Sequence, residues 1–352
     1  MRPSISVITL VFATGLEVCQ AHTFCIQAGD VDALRAAFSA AAANDEDDAV
    51  LLQSGVYDLT GSALRHYSMK PYGLEVRGGY ADYLGEACGL PPSLPDARKT
   101  VLKANSVAVR ISSDGGFLTV DGLTFKDAFS GGQSFDPSIQ LTSGGVTTVT
   151  NDVFSGSVAV NGRPIAIVGM GTVVQNSVFD SNASLAGLPV VSVSGLASNN
   201  VCHFLIGDTF VKNTSANGPV LSISAPDAGC LSLLANAIFW GNATPDDVTL
   251  FSETALLNDN FIQSRLVSIP GGHVVSEVGL TEYDPVFVDW IGGDYSLRDE
   301  SPLVNRASAG GPFWSCGESD VFGNARMYGG APDIGAIETQ DVIFANGSDF
   351  EF

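Results

Sequence analysis

A short motif ending in phenylalanine recurs six times in the middle of this 352-residue chain, and it limits the possible folds more than any other feature. In every copy an asparagine or a glycine stands three residues before the phenylalanine, and consecutive copies lie 22 to 31 residues apart. Repeats of about 20–50 residues are typical of solenoids, propellers and related arrays. The repeated residues are Phe125, Phe154, Phe179, Phe210, Phe239 and Phe261.

The content of each repeat selects among these architectures. Short runs of Val, Ile, Leu, Thr and Phe alternate with Gly, Asn, Asp and Ser, which is typical of strands and turns. Propeller blades need about 40–45 residues, and the fixed leucines of leucine-rich repeats are missing. Asparagine and glycine tolerate the positive φ of a tight turn best. The repeat therefore predicts an all-β, right-handed parallel β-helix over about residues 45–340, with the six phenylalanines in one interior stack.

Two further patterns fit this coil. Asn182, Asn213 and Asn242 each follow a repeat phenylalanine by three residues, which predicts a ladder of turn asparagines. Before the coil, residues 31–43 have the apolar spacing of a helix, and Asp30 is suited to be its N-cap. Because the open end of a β-helix needs a cover, we expect this segment to be a capping helix.

The first 21 residues have the features of a signal peptide. Arg2 precedes an apolar run, and Cys19-Gln20-Ala21 places small residues where a signal peptidase cleaves. An alternative is acylation of Cys19, as in a bacterial lipoprotein. No later stretch has 18 uninterrupted apolar residues, so we expect no transmembrane helix in the mature chain.

Charge and cysteine content limit the partners and the compartment. The chain has 38 acidic and 16 basic residues, a formal net charge of −22, which disfavours nucleic acid as a partner. We predict no metal site or cofactor, although surface carboxylates could bind calcium. Export favours disulfides. Cys202 and Cys230 are 28 residues apart, close to one repeat, which predicts a bond between adjacent turns and leaves Cys316 over.

The ends of the chain resemble a known group of bacterial proteins. The chain resembles the choice-of-anchor Q family of exported β-helix proteins, within the pectin-lyase-like superfamily. The motifs that carry the resemblance are Val50-Leu51-Leu52, Arg77-Gly78-Gly79-Tyr80, Asp284-Pro285-Val286-Phe287, Gly293-Asp294-Tyr295, Ser301-Pro302-Leu303 and Asp333-Ile334-Gly335-Ala336-Ile337-Glu338.

The resemblance implies the organisation of the whole chain. It implies one β-helix domain over residues 22–340, a closing module at 284–338 and a C-terminal tail at 341–352. It also implies a disulfide between Cys25 and Cys88, and a location that is secreted or at the cell surface, in the outer envelope of a Gram-negative bacterium. The family has no established catalytic residues, so the resemblance implies none in this chain.

Residues for catalysis are sparse. A uronate lyase needs several cationic or basic groups at one place. Between residues 104 and 270 the candidates do not recur at matching repeat positions; they are Arg110, Lys126, Arg163, His203, Lys212 and Arg265. A glycosidase needs two carboxyl groups about 5–9.5 Å apart. Asp152, Asp208 and Asp259 each precede a repeat phenylalanine by two residues and are the weak catalytic candidates.

The remaining polar candidates are expected to have structural and not catalytic roles. Asp320, Arg326, Asp333 and Glu338 are expected to form an Arg–carboxylate network that locks the C-terminal end. His66, His203 and His273 have no partners at ligand spacing and are expected on the surface or in loops.

The leading hypothesis is an exported protein with a binding, adhesion or envelope-structural role, whose partners are polysaccharide or envelope components. The alternative is a polysaccharide lyase or glycoside hydrolase that uses the side wall of the coil. A wall of Ser, Thr, Asn and Val favours the first, and a cluster of converging acids and bases favours the second.

Overall fold

The chain winds into successive turns because each short strand pairs in parallel with the strand one repeat further along. In this computed structural model we describe residues 22–132, 135–195, 202–225, 231–252, 254–263, 266–268, 273–274, 283–311 and 314–340. Three long parallel sheets run along the coil and are called walls A, B and C, and a fourth short sheet lines the corner between walls B and C. The fold class is thus confirmed as an all-β parallel β-helix with one helix near its start.

The strands of each wall follow the chain order with one strand per turn. Wall A contains His22–Ile26, Asp48–Gln53, Leu74–Tyr83, Leu118–Asp121, Val146–Thr150, Gly171–Gln175, His203–Ile206, Leu231–Ala235, Thr254–Asn258 and His273–Val274, with Glu86–Leu90 antiparallel to Leu74–Tyr83. Wall B contains Gly55–Asp58, Thr100–Lys103, Thr124–Lys126, Val153–Ser155, Val178–Asp180, Thr209–Val211, Ile238–Trp240 and Phe261–Ile262.

Wall C contains Leu64–Ser68, Val109–Ser113, Ile139–Ser143, Ile165–Gly169, Val191–Gly195, Leu221–Ala225, Val248–Ser252 and Leu266–Ser268. The corner sheet contains Phe129–Ser130, Val158–Ala159, Ala183–Ser184 and Thr214–Ser215. Alternate residues of a strand point to opposite faces. In wall C, Ile139 and Leu141 therefore lie in the core, while Gln140 and Thr142 face outward.

Five of the six repeat phenylalanines form the predicted interior stack. Phe125, Phe154, Phe179, Phe210 and Phe239 are fully buried, and their neighbouring ring centroids are 4.5 to 5.1 Å apart with nearly parallel planes. Their spacing follows from the parallel register, which places each ring directly over the ring of the preceding turn.

The prediction for the sixth member of the stack is wrong by one residue, because Ile262 and not Phe261 takes the interior position. Phe239 pairs with Ile262, and Phe261 pairs with Ile238. Phe261 consequently points outward, where its ring lies 5.8 Å from that of Trp240. The reason is the preceding turn: its positive-φ residue is Asp259 (φ 49°), whereas the motif alignment gave that position to Asn258.

The other turns confirm why the motif starts with asparagine or glycine. Gly122, Asn151, Asn176, Gly207 and Asn236 all have φ between 51° and 71°, the left-handed region that these residues tolerate best. The predicted asparagine ladder is also present. The backbone N–H of Asn182 donates to Oδ1 of Asn213 at 3.1 Å, and the backbone N–H of Asn213 donates to Oδ1 of Asn242 at 2.9 Å.

The helix spans Val31–Ala43, the predicted range, and the Asp30 side chain accepts a hydrogen bond from Ala33 N at 2.9 Å as its N-cap. Its buried residues, Leu34 and Phe38 among them, join the interior core. The implied disulfide between Cys25 and Cys88 is confirmed, with its Cα atoms 5.8 Å apart.

The coil is shorter than predicted, since residues 283–311 and 314–340 do not continue its ladders. This segment, called the C-terminal strap, contains two antiparallel hairpins, Phe287–Asp289 with Asp294–Leu297 and Gly310–Gly311 with Trp314–Ser315. It folds back along the outer face of wall B, where Phe287, Leu297 and Leu303 form one apolar cluster with Val178, Val211, Ile238 and Phe261. The strap covers apolar side chains that the coil turns outward, which explains why the chain reverses direction.

Among the residues described here, no helix has the length and apolar character needed to cross a membrane.

Candidate functional site

The aspartates predicted as weak catalytic candidates do not converge on a surface site. Asp152 and Asp208 are fully buried beneath the turn between walls A and B. Their Oδ1 atoms accept hydrogen bonds from the backbone N–H groups of Leu123 (2.7 Å) and Ser177 (2.9 Å) on the preceding turn. Asp259 is a turn residue with positive φ. No polymer can reach the two buried carboxyl groups, so the geometry assigns them to the interior ladder of the turn.

Burial changes the acidity of both carboxyl groups. It raises the pKa of Asp208 to about 8, although two backbone N–H donors and Arg326 oppose the shift, and it raises the pKa of Asp152 well above the usual range. One oxygen of each carboxyl, Oδ2, has no hydrogen-bond partner. Asn260 occupies the equivalent place on a later turn, where Oδ1 accepts from Ala237 N at 3.0 Å and Nδ2 donates to Leu234 O at 2.7 Å. A protonated carboxyl is therefore the form that suits this position.

Two histidines are placed differently from the prediction. His66 and His203, expected on the surface or in loops, are buried, while the side chain of His273 lies outside the described residues. The Nδ1 of His66 lies 3.1 Å from Phe38 O, and the Nε2 of His203 lies 3.2 Å from Ser224 O. Burial lowers the pKa of His66 and lowers that of His203 to about 4, so both rings are neutral packing groups at neutral pH. The sequence did contain a signal for the burial of His203, because residues two apart in a strand face the same side and Leu205 points inward.

The cations that could serve a lyase are dispersed. Arg110 faces outward on wall C and Lys126 on wall B, whereas Arg163 lies exposed in a loop. Lys212 lies 3.5 Å from Asp180 and 5.1 Å from the centroid of the Tyr295 ring, next to the strap. His203 is interior, and Arg265 lies outside the described residues. The five that are described share no common site.

The polar network of the strap matches the prediction. Arg326 is fully buried and donates to Glu338 at 3.3 Å and to Asp333 O at 2.9 Å. The Asp320 carboxylate accepts a hydrogen bond from the backbone N–H of Glu338 at 2.9 Å, and the Asp333 carboxylate accepts one from the backbone N–H of Asn305 at 2.7 Å. Burial raises the pKa of Glu338, and Asp333 adds to the effect while Arg326 opposes it. Apart from the Nε of Arg326, which has no hydrogen-bond partner, these groups bond within the strap, so the cluster stabilises the segment.

Cysteine placement agrees with the prediction where it can be compared. Cys316 is a free, buried cysteine. Cys202 is disulfide-bonded. Its predicted partner, Cys230, lies outside the described residues, so that pairing stays a prediction.

The outer face of wall C carries a regular array of mostly uncharged side chains. Its outward residues form two parallel rows that cross the strands, one residue of each row per turn. Between the third and the seventh strand the outward residues are Phe251, which ends one row, and nine others that we call the wall C floor: Gln140, Thr142, Ala166, Val168, Ser192, Ser194, Ser222, Ser224 and Thr249. None of these nine is ionisable, and none is larger than glutamine.

A cavity of about 620 Å³ lies at the N-terminal end of this floor. Its lining includes Arg65, Tyr67, Arg110, Asp114 and Gln140. Arg65 and Arg110 are register partners on neighbouring strands, and Arg110 forms an ion pair with Asp136 at 2.9 Å. The Tyr67 ring is 60% exposed, which leaves an aromatic face available beside hydrogen-bonding groups. Aromatic faces and planar polar groups can together bind a sugar ring through stacking and hydroxyl contacts.

Within the parts of the chain that the structure describes, no group of three or more His, Cys, Asp or Glu side chains is arranged to hold a metal ion. The floor itself carries no acid–base pair. The ionisable side chains of this wall lie at its N-terminal end, where Arg65, Arg110 and Asp114 line the cavity.

Comparison with known proteins leaves the activity open. No protein-family model matches the chain, and a search of curated proteins finds no match. Among solved structures, the chain is similar to the crystal structure of pectate lyase Pel9A, with 10% sequence identity, coverage of 86% of this chain and 91% of that chain, and a TM-score of 0.32. The fold assignment rests on the strand ladders described above, and the choice-of-anchor Q resemblance stays a prediction.

Proposed function

We propose that this chain is an exported, non-catalytic protein that binds polysaccharide along the outer face of wall C. The observation that carries the proposal is the wall C floor, where nine small, uncharged side chains lie side by side on the outward face without an acid–base pair among them. Gln140, Val168, Ser194 and Ser224 are half-buried, and the other five pack closely enough to be buried. The cavity around Tyr67 adds an aromatic ring and polar groups at one end of that surface.

Several features support export, and they belong to the same proposal. The Cys25–Cys88 disulfide suits an oxidising compartment. Residues 1–21 would be removed as a signal peptide, and residues 341–352 would form a tail for secretion or surface attachment. We place the protein outside the cell or at the surface of a Gram-negative bacterium, as the choice-of-anchor Q resemblance implies.

A screen of the purified mature chain against polysaccharides tests this function. Affinity electrophoresis through gels with and without each polymer measures binding, and reducing-end and ultraviolet assays on the same samples measure cleavage, with and without calcium. We expect retardation by at least one polymer and no release of new reducing ends or unsaturated uronate.

Cleavage of pectate or alginate, lost when Lys126, Arg163 or Lys212 is replaced by alanine, would establish the enzyme alternative. Absence of retardation by every polymer would reject the binding function.

A further inference from the structure

Two exposed aromatic residues end the same outward row of wall C. Tyr67 begins the row on the first strand, and Phe251 stands at the equivalent place on the seventh strand. The Tyr67 side chain is 60% exposed and the Phe251 side chain is 43% exposed. The row runs through Tyr67, Ser112, Thr142, Val168, Ser194, Ser224 and Phe251. All residues between the two rings have small side chains.

The register fixes how far apart the two rings lie. Six strand spacings of about 4.8 Å separate them, so their backbone positions are roughly 29 Å apart along the coil axis. The row between them is continuous, because every step is a direct parallel pair without an irregularity from strand to strand. A rigid ligand could lie along this row and contact both rings at once.

The charge of the row restricts the ligand. The wall C floor has no ionisable side chain, and the chain as a whole has a net charge of −22. A polyanion would meet the repulsion of the whole molecule without cations along most of its length. Arg65 and Arg110 lie at one end only, where Asp136 pairs with Arg110 and Asp114 lines the same cavity. The floor therefore suits an uncharged ligand.

We infer that the ligand of wall C is an uncharged, extended glycan chain that stacks on Tyr67 at one end and on Phe251 at the other. This inference rests on the proposed polysaccharide-binding function and adds the ligand's charge, shape and minimum length. The polar cavity beside Tyr67 holds one end of the glycan through hydroxyl contacts to Arg65 and Gln140, so a short fragment binds there first. A longer chain gains the second contact without a second loss of translational freedom.

The measurement is titration calorimetry with linear oligosaccharides of increasing length. Cello-oligosaccharides and xylo-oligosaccharides from the disaccharide to the octasaccharide are uncharged probes, and oligogalacturonates of the same lengths are anionic probes. For one uncharged series we expect weak, nearly constant affinity for short members, then a rise of about two- to tenfold once the ligand spans roughly 29 Å, the gain of one aromatic contact.

Three single variants locate the two contacts. Tyr67→Ala should weaken binding of short and long members alike, because both use the cavity end. Phe251→Ala should weaken only the long members, by about two- to tenfold, and leave the short ones unchanged. Tyr83→Ala is the matched control, since Tyr83 is 51% exposed but lies on the hairpin of wall A. It should change neither.

The outcomes separate this inference from the function on which it rests. If oligogalacturonates bind more tightly than both uncharged series, or if Phe251→Ala leaves the affinity of the longest uncharged probe unchanged, the inference is wrong while polysaccharide binding stands. If none of the oligosaccharides and none of the polymers in the electrophoretic screen bind, the proposed function itself fails.

Discussion

The Asn176 side chain joins the coil to a part of the chain 140 residues away. Its Nδ2 donates to the backbone carbonyl oxygens of Cys316 at 2.9 Å and Ser319 at 2.7 Å, and the side chain is buried. Further along the coil, the Asn236 side chain donates to Ser308 O at 2.8 Å and accepts from Ser308 N at 3.2 Å. The same turn residues that form the repeat therefore also fasten the C-terminal strap along wall B.

Replacing Asn176 by glycine should loosen this attachment. Glycine keeps the φ of 51° without strain, so the change removes mainly the two hydrogen bonds. We expect a loss of about 1–3 kcal/mol in the free energy of unfolding, measured by denaturant titration, and faster proteolysis within the strap. Asn151→Gly is the control, because that residue has the same backbone conformation but bonds to Asp121 instead of the strap. Equal effects of the two variants would contradict the role of Asn176 in fastening the strap.

Asp208 should make stability depend on pH. Burial raises its pKa from the ordinary 3.8 to about 8, so the folded state retains a proton that the unfolded state loses above about pH 4. This contribution is fully present below pH 4 and is lost as pH rises to about 8. An asparagine side chain in place of Asp208 would keep the acceptor oxygen and add a donor, as Asn260 does on its turn.

We therefore expect Asp208→Asn to gain stability over the native chain as pH rises from 5 to 8, by up to about 1.4 kcal/mol per pH unit. Unfolding titrations at several pH values measure this difference. Asp114→Asn, at an exposed carboxyl, is the control for removing one negative charge from this acidic chain. A difference between native and variant chains that does not change with pH would show that Asp208 is ionised in the fold.

The phenylalanine stack should dominate the stability of the coil. Phe179 lies between Phe154 and Phe210, with ring centroids 5.0 and 4.7 Å away, and is fully buried. We expect Phe179→Ala to cost about 3–5 kcal/mol in the free energy of unfolding, because it leaves a cavity between two rings. Phe129→Ala, at a ring that is 37% exposed on the corner sheet, should cost much less. Similar losses for both would mean that the interior stack contributes little.

The Cys25–Cys88 bond should stabilise the start of the coil. It closes a loop of 63 residues that contains the capping helix. Restricting the unfolded chain over such a loop is worth about 4 kcal/mol in chain-entropy terms. The Cys25→Ser, Cys88→Ser double variant should therefore unfold at lower denaturant concentration, whereas Cys316→Ser, at the free cysteine, should not shift the midpoint comparably. An unchanged midpoint in the double variant would contradict this assignment.

The repeat was sufficient to predict the coil because its physical causes are local. Positive-φ turns select asparagine or glycine at positions such as Asn151 and Gly207, and the alternation of strands fixes that Phe154 and Phe210 point inward. The last turn could not be placed from the motif, since Asn258 and Asp259 both tolerate a left-handed turn. The choice between them decided whether Phe261 or Ile262 entered the core.

The candidate site was harder to predict, because it depends on which walls remain uncovered. The alternation in Val191–Gly195 and Leu221–Ala225 predicts outward serines, but it does not predict that the strap packs on wall B and not on wall C. The row that links Tyr67 to Phe251 depends on six strand registers in succession. Each register is set by turn lengths that vary along the sequence.

The most direct test of the account is whether an obstruction on wall C abolishes polysaccharide binding. Ser222 lies in the middle of the floor, so Ser222→Arg would place a bulky cation across it, and Thr148→Arg makes the same addition on the outward face of wall A. The measurement is retardation by the best-binding polymer in affinity electrophoresis, with circular dichroism to confirm folding. We predict that the Ser222 variant loses retardation while the Thr148 variant and the native chain keep it. Full retardation of the folded Ser222 variant would contradict the assignment of wall C as the binding surface.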